Sequence, residues 1–266
     1  MSLVDEIHKC VKAYPKPAVN ISGGIDSTIV LHHLCEKSDE TVYTYTVGFT
    51  CQETEFAYAQ QVADHYNTLH HEIVIDNMLE SYPEILRFMD RPRFNLWPYW
   101  IAKQQVLDNR WNVYIGEGGD EAFGGYWYKP RDTYVHQWNH LFTYVDPTYQ
   151  QIYDHFGIKL HKPLHPSSLD WRLSYSYYDR NQEKALVKKA YRDILPDFVL
   201  KRRKLNGRKD YHVIWEKELC QYFPNEHPRT EKEIIELWNL WTTKMWLETH
   251  VKANQTIFEP LRSSGC

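Results

Sequence analysis

Ala18-Val19-Asn20-Ile21-Ser22-Gly23-Gly24-Ile25-Asp26-Ser27 is the stretch on which the fold turns. Ala18 to Ile21 reads as a short strand, and Ile29, Val30, Leu31 and Leu34 mark a helix that starts just after the glycines. Gly23 and Gly24 let the backbone turn tightly between the two and aim successive N–H groups at an anion, where the helix N-terminus adds positive potential. Ser22 and Ser27 can donate hydroxyl hydrogen bonds to phosphate oxygens. Asp26 is repulsive beside phosphates unless a cation lies between them, so it predicts Mg²⁺. The loop lacks the Gly-Lys-Ser/Thr ending of a Walker A sequence, so its lysine must come from elsewhere. Alone, the stretch also fits an ordinary Gly-Gly turn with Ser and Asp capping a helix.

Outward from this stretch, strand and helix signals alternate. Leu3, Ile7, Cys10, Val11 and Tyr14 recur at helical spacing until Pro15 and Pro17 stop them. Strands are expected at Thr41–Phe49, Leu69–Ile75 and Val113–Ile115. Helices are expected at Glu53–His65, Met78–Met89 and Tyr99–Leu107. Such alternation implies βαβ crossovers and a mostly parallel sheet. After the fourth strand comes Gly116-Glu117-Gly118-Gly119-Asp120-Glu121-Ala122-Phe123-Gly124-Gly125-Tyr126. Loops at the carboxyl ends of parallel strands share one edge, and ligands lie there. Asp26 and Asp120 are therefore expected to converge on one Mg²⁺–triphosphate. Past Tyr126 strand signals fade, and the stretch to Ile152 shows no clear period. Gln182–Ile194 and Ile234–Leu247 read as helices. The expected organisation is an α/β domain over 1–126 and a helical lobe over 127–266.

Composition sets the outer bounds. The chain has 266 residues, with 42% hydrophobic and 15% aromatic, too much apolar surface for intrinsic disorder. Its 31 Lys+Arg against 35 Asp+Glu leave a net charge of −4, which removes the electrostatic motive for sequence-independent nucleic-acid binding. No apolar run approaches the roughly 20 residues that cross a bilayer, and the N-terminus lacks the grammar of a secretory signal. Cys10, Cys35, Cys51, Cys220 and Cys266 are scattered and odd in number, so a reducing cytoplasm is the expected setting.

Together the two glycine-rich motifs resemble the synthetase domain of the asparagine synthetase family, within the PP-loop ATP pyrophosphatases, to which the β-lactam synthetases also belong. The resemblance implies a Rossmann-like parallel sheet of the adenine nucleotide alpha hydrolase type with a C-terminal helical lobe. It extends to Val47-Gly48-Phe49, to Asp90-x-Pro92, and to the segment Gly157 to Pro163. It continues from Lys184-Ala185-Leu186 through Leu195-Pro196 to Arg202-x-Lys204, and to the helix Trp238 to Trp246. By that resemblance Ser22, Gly23, Gly24, Asp26 and Ser27 would hold the pyrophosphate of ATP, and Asp26 and Asp120 would bind Mg²⁺. Val47, Gly48 and Gly116 would line the adenosine pocket. Glu117 would face the activated carboxyl, and Lys204 would stabilise the charge that develops on adenylation. The implied reaction is ATP-dependent amide formation: a small carboxylate becomes an acyl-adenylate, pyrophosphate leaves, and ammonia or an amine attacks.

Departures from the family pattern fall on the acceptor side. Lys159 and His161 stand where the family has Glu and Arg, Arg91 replaces an acidic residue, Ile115 replaces a serine, and Asn206 intrudes before Gly207. Aspartate is therefore not assumed as acceptor. Glutamine-dependent members begin with a glutaminase domain whose nucleophile is a terminal cysteine. Here residue 2 is Ser2 and the first loop begins about twenty residues in, so the nitrogen is expected from free ammonia, a separate glutaminase subunit or an amine-bearing substrate. Two other readings stay open: a PP-loop enzyme that adenylates a nucleobase or tRNA, and a non-catalytic ATP-binding subunit. The basic run Lys201-Arg202-Arg203-Lys204 with Arg208 and Lys209 bears on the first of these, though pyrophosphate contact and a solvated face are favoured for it. Trp97, Tyr99 and Trp100 fit either stacking on a base or ring-shaped substrate or packing of the helix they begin. His136 and His140 have the spacing of a helical metal pair but no evident third ligand, and His32-His33 and His70-His71 read as surface or core residues.

Overall fold

The computed structural model describes residues 2–49, 54–125, 133–178, 183–202 and 211–255. In chain order the elements are α1 (Leu3–Cys10), β1 (Pro17–Asn20), α2 (Ile25–Lys37), β2 (Tyr43–Gly48), α3 (Thr54–His65), β3 (Leu69–Val74), α4 (Tyr82–Leu86), α5 (Pro98–Leu107), β4 (Asn112–Tyr114) and α6 (Gly119–Phe123). They continue as α7 (Thr133–His140), α8 (Asp146–His155), β5 (Lys159–His161), α9 (Trp171–Ser176), α10 (Ala185–Ala190), α11 (Asp197–Leu200), α12 (Tyr211–Ile214) and α13 (Glu231–Gln255). The five strands form one parallel sheet in the order β3-β2-β1-β4-β5. This is the α/β architecture that the alternating pattern predicts.

The order of strands locates the functional edge. From β1 the chain moves outward on one side through β2 and β3, then returns to place β4 against the other side of β1. The sheet therefore changes direction between β1 and β4, and such a switch point opens a crevice at the carboxyl ends of the two strands. Both glycine-rich motifs follow those strands. β1 is the buried centre: Ala18 and Val19 are fully covered, as a strand with helices on both faces requires. Leu3 and Ile7 of α1, Ile29, Val30 and Leu34 of α2, and Val62 of α3 complete the core around it.

The chain divides into one unit of residues 1–75 and 97–207 and another of 76–96 and 208–266, not at residue 126 as expected. The physical reason is β5, which pairs with β4 through Asn112–Lys159, Val113–Leu160 and Tyr114–His161 and so returns the later chain to the sheet. In the second unit Tyr82 packs at 5.5 Å on Trp241, Phe94 at 5.5 Å on Trp238, and the Trp246 indole donates to the Met89 carbonyl at 2.9 Å. Trp238 and Trp241 are core residues, and α13 runs well past the expected Ile234–Leu247.

Three further differences have local causes. Residues 133–155 are helical although no period was visible. Pro147 has no N–H to offer the carbonyl four residues back, and the ladder widens into a π turn at Leu141–Val145 that shifts the apolar face part-way along. The expected helix Met78–Met89 splits into a 3₁₀ turn, Met78–Ser81, and α4, which carries Pro83 in its first turn. The expected helix Gln182–Ile194, whose first residue lies outside the described residues, appears as α10 over Ala185–Ala190, which starts after Lys184 because that residue is left-handed with φ 50°. Among the described residues no helix is long and apolar enough to cross a membrane.

Two half-buried histidines in the sheet give the fold a pH dependence. His161 is stacked between Tyr14 and Tyr114 at 4.7 and 4.6 Å, and burial, with Lys159 nearby, lowers its pKa to about 4. Burial also lowers that of His70, which meets the Thr44 hydroxyl at 3.0 Å, to about 4. An unfolded histidine titrates near 6.5, so between about 6.5 and 4 the unfolded chain takes up protons that the folded chain refuses. Stability should therefore be level above pH 6.5 and fall as the pH drops through that window. Urea unfolding across a pH series checks this: H161F, which keeps an aromatic ring in the stack, should show a shallower decline than the wild-type chain, and an equal decline would refute the assignment.

Candidate active site

The turn after β1 is held from within. The Ser22 N–H donates to Ser27 Oγ at 3.3 Å, the Gly24 N–H to Ser22 Oγ at 3.4 Å, and the Thr28 hydroxyl to the Gly24 carbonyl at 2.8 Å. Gly24 is the N-cap of α2 and offers no side chain, so the helix N-terminus is left for backbone groups to serve. Gly23 has φ +69°, and a Cβ there would lie 2.6 Å from the Tyr58 Cβ of α3. The Arg202 guanidinium lies over the Tyr58 ring at 4.2 Å and donates to the Ser22 carbonyl at 2.6 Å. The turn is thus clamped between α3 and an arginine from far along the chain.

The second loop meets the first backbone to backbone. A Cβ on Gly116 would stand 2.7 Å from the Ser27 nitrogen, and one on Gly119 would stand 2.6 Å from Asp26 Oδ1. Gly118, with φ +90°, makes the turn into α6, and Gly124, with φ +81°, ends it. Only residues without side chains let these two loops approach so closely.

Asp26 and Asp120 converge, and Lys184 lies between them. Its ammonium donates to Asp26 Oδ2 and stands 2.6 Å from Asp120 Oδ1, while the residue is 2% exposed. Burial alone would lower the lysine's pKa, but the carboxylates of Asp120 and then Asp26 outweigh it and hold the ammonium above its ordinary value. Lys184 is therefore an ammonium at neutral pH. A Cβ on Gly125 would collide with the Asp120 carboxylate and press on the Lys184 chain.

The remaining expected residues fall around this centre. Val47 and Gly48 end β2 at the same carboxyl edge. They lie beyond the Asn20–Tyr45 pair, where the Thr46 hydroxyl donates to the Ile21 carbonyl at 2.5 Å. Glu117 lies between Gly116 and Gly118. Burial first, and the Glu117 carboxylate second, push the pKa of the Tyr149 phenol up. Lys204 lies outside the described residues. Tyr99 is buried against Phe156 at 5.3 Å, and Trp97 meets Tyr149 edge-on at 5.4 Å, so both pack within the protein. A cavity of about 300 Å³ walled by Trp138, Phe142, Pro166 and Tyr178 also touches Ala122. Residues two apart on a helix point about 200° apart, so this cavity opens on the face of α6 away from Asp120.

A family model described as asparagine synthase matches residues 2–174, most of the sheet-bearing unit. The chain belongs to the asparagine synthase family. It is 29% identical over 138 residues to the glutamine-hydrolysing asparagine synthetase 2 of Bacillus subtilis, an overlap of 47% of this chain and 18% of that one. A putative glutamine-hydrolysing asparagine synthetase 2 of Methanocaldococcus jannaschii is 30% identical over 114 residues, 40% of this chain and 22% of its own. This family member therefore spans about a fifth of the length of the curated relatives it matches. Among solved structures, the NH3-dependent NAD synthetase of Campylobacter jejuni is 14% identical over 92% of each chain with a TM-score of 0.39, a likeness too loose to bear on this asparagine synthase family member.

Of two further residues of the site, Lys184 carried no expected role and Arg202 was expected only as part of the basic run. Lys184 and Arg202 stand in the segments that resemble the family, but nothing in their neighbours indicates that one reaches two aspartates and the other the Ser22 carbonyl. Removing the buried ammonium leaves two carboxylates facing each other. K184M should therefore cost about 3–5 kcal/mol of stability, and adding D26N should recover part of that loss, measured by urea unfolding of the single and double variants. Additive losses would show that the pair does not interact.

Proposed function

We propose that the chain is the synthetase part of an ATP- and Mg²⁺-dependent amide-forming ligase that activates a carboxylate as an acyl-adenylate. The observation that carries this reading is the convergence of Asp26 and Asp120 at the N-terminus of α2, on the edge where β1 and β4 diverge. Two carboxylate oxygens brought together beside glycines that leave no room for a Cβ form a hard donor set, which suits Mg²⁺. Asp26 and Asp120 would hold that ion in place of the Lys184 ammonium that bridges them here, and the ion when bound would neutralise phosphate charge. The turn Ser22, Gly23, Gly24 and Ser27 would hold the pyrophosphate portion of ATP, with the Ser22 and Gly24 N–H groups bonded within the turn and fixing its shape, and Val47, Gly48 and Gly116 would border the adenosine.

The reaction divides into two displacements. An acceptor carboxylate oxygen attacks the α-phosphorus, the bond to the β-phosphate oxygen breaks, and pyrophosphate leaves with the electron pair. Lys184 and Arg202 supply positive charge that is already in place before reaction, usually the largest catalytic contribution, and Lys204 would add to the charge that the departing group meets. An amine nitrogen then attacks the acyl carbon, AMP leaves with its oxygen, and Glu117 is placed to take the proton that the nitrogen loses. The nitrogen comes from ammonia, from a separate glutaminase subunit or from an amine-bearing substrate. In the alternative tRNA reading the basic run would track a nucleic-acid backbone. Arg202 instead turns to the Ser22 carbonyl and Lys201 pairs with Asp197 at 2.5 Å, so the described part of that run is engaged within the chain.

The test is pyrophosphate release against a panel of carboxylic acids, amino acids, nucleosides and tRNA, with ammonium present. Release that requires a small carboxylic acid is expected. Release that requires nucleic acid, or ATP binding with no turnover on any acceptor, would overturn the reading. D26N and D120N, checked for folding by circular dichroism, should lower release by about 100-fold or more; near-normal turnover in either would remove the metal assignment.

A further inference from the structure

Helices α1 and α2 bring three metal-ligating side chains to one point, about two turns along α2 from the glycine-rich loop that precedes it. His8 Nδ1 lies 3.3 Å from His33 Nδ1, His33 Nδ1 lies 3.1 Å from Glu36 Oε2, and His8 Nδ1 lies 3.4 Å from the same oxygen. Among the described residues this is the one group of three such side chains whose donor atoms all lie within 4.8 Å of one another, so His136 and His140 belong to none. We infer that His8, His33 and Glu36 form a zinc site that clamps α1 onto α2.

The triangle has the size of one face of a zinc tetrahedron. With bonds of about 2.0–2.1 Å, tetrahedral ligands stand about 3.3 Å from one another. All three observed edges fall close to that value. Hydrogen bonding alone does not satisfy the arrangement. If neither ring carries a proton on Nδ1, every edge opposes lone pairs. One such proton still leaves an edge with opposed lone pairs, and two, both donated to Glu36 Oε2, leave the His8–His33 edge donor against donor at 3.3 Å. A divalent cation satisfies all three edges at once.

The surroundings match what a ligating histidine needs. His33 is 1% exposed, and its other ring nitrogen, Nε2, lies 2.9 Å from the Tyr191 hydroxyl. An N–H donated there leaves the lone pair on Nδ1, pointing into the triangle. Glu36 Oε1 lies 3.4 Å from His32 Nε2, which holds the carboxylate in place. His8 and Glu36 are about half exposed, so the fourth position opens to water. Two imidazoles and one carboxylate favour zinc over the harder Mg²⁺. The junction is prepared without the metal as well: the Lys37 ammonium donates to the carbonyls of His8 and Val11 at the end of α1.

The experiment is a zinc titration of the full chain, stripped with a chelator and free of nucleotide, read by competition with a chromogenic chelator and by the shift in thermal midpoint. One equivalent should bind and raise the midpoint. H8A and E36Q, both at half-exposed positions, should lose that equivalent and its midpoint shift, and Y191F should weaken binding by about 10- to 100-fold. D120N should bind zinc as the wild-type chain does, which separates this site from the carboxylates at the sheet edge. Co²⁺ in place of zinc should give the intense visible bands of a four-coordinate site. Failure of the wild-type chain to bind zinc, or binding that survives H8A and E36Q, would overturn the assignment.

Discussion

A buried ammonium between two carboxylates is the interaction on which the rest of this molecule depends. Two unit charges of like sign 4 Å apart repel by about 4 kcal/mol at the screening typical near a protein surface. The loops after β1 and β4 could not be pressed together on such terms alone. Lys184 reverses the sign, turning a repulsion between the two loops into an attraction that both share. It does so from a left-handed backbone conformation that a non-glycine residue rarely adopts. The same conformation delays the start of α10. Local helix propensity gives way to the ion cluster, as is common where a site and a secondary-structure element compete for one residue.

The glycines make that cluster possible without contributing to it chemically. Gly116 and Gly119 lie against the first turn of α2, where a methyl group would meet the Ser27 nitrogen or the Asp26 carboxylate. The two loops therefore act as one surface, rigid because its parts are in backbone contact, with the N-terminus of α2 as its floor. Arg202 extends this surface from the far end of the sheet-bearing unit by way of Tyr58 and the Ser22 carbonyl. The positive groups come from parts of the chain that are remote in sequence from the loops they serve.

That separation explains what could be read in advance. β1, α2, β2, α3, β3 and β4 announce themselves through apolar runs and periodicity, and the parallel sheet follows from their alternation. The pairing of Asp26 with Asp120 was legible because both follow strands of one parallel sheet and so share an edge. Lys184 was not, since its meaning lies in a return of the chain that no local pattern encodes. β5 escaped notice because Lys159-Leu160-His161 is a three-residue edge strand with one apolar side chain, too short for alternation to show. The helices over 133–155 were hidden by the π turn, which breaks the period by which a helix is recognised. His33 read only as a surface or core residue because His8 and Tyr191, which lie against it, arrive from elsewhere.

The central claim is that Asp26 and Asp120 form one cation-binding pair at the N-terminus of α2. Its most direct test is an anomalous difference map from crystals of the chain grown with Mn²⁺ and a non-hydrolysable ATP analogue. The account predicts a manganese peak ligated by both carboxylates, with the phosphates against the Ser22–Ser27 turn. A nucleotide bound elsewhere, or a metal peak that leaves either aspartate uncoordinated, would contradict it.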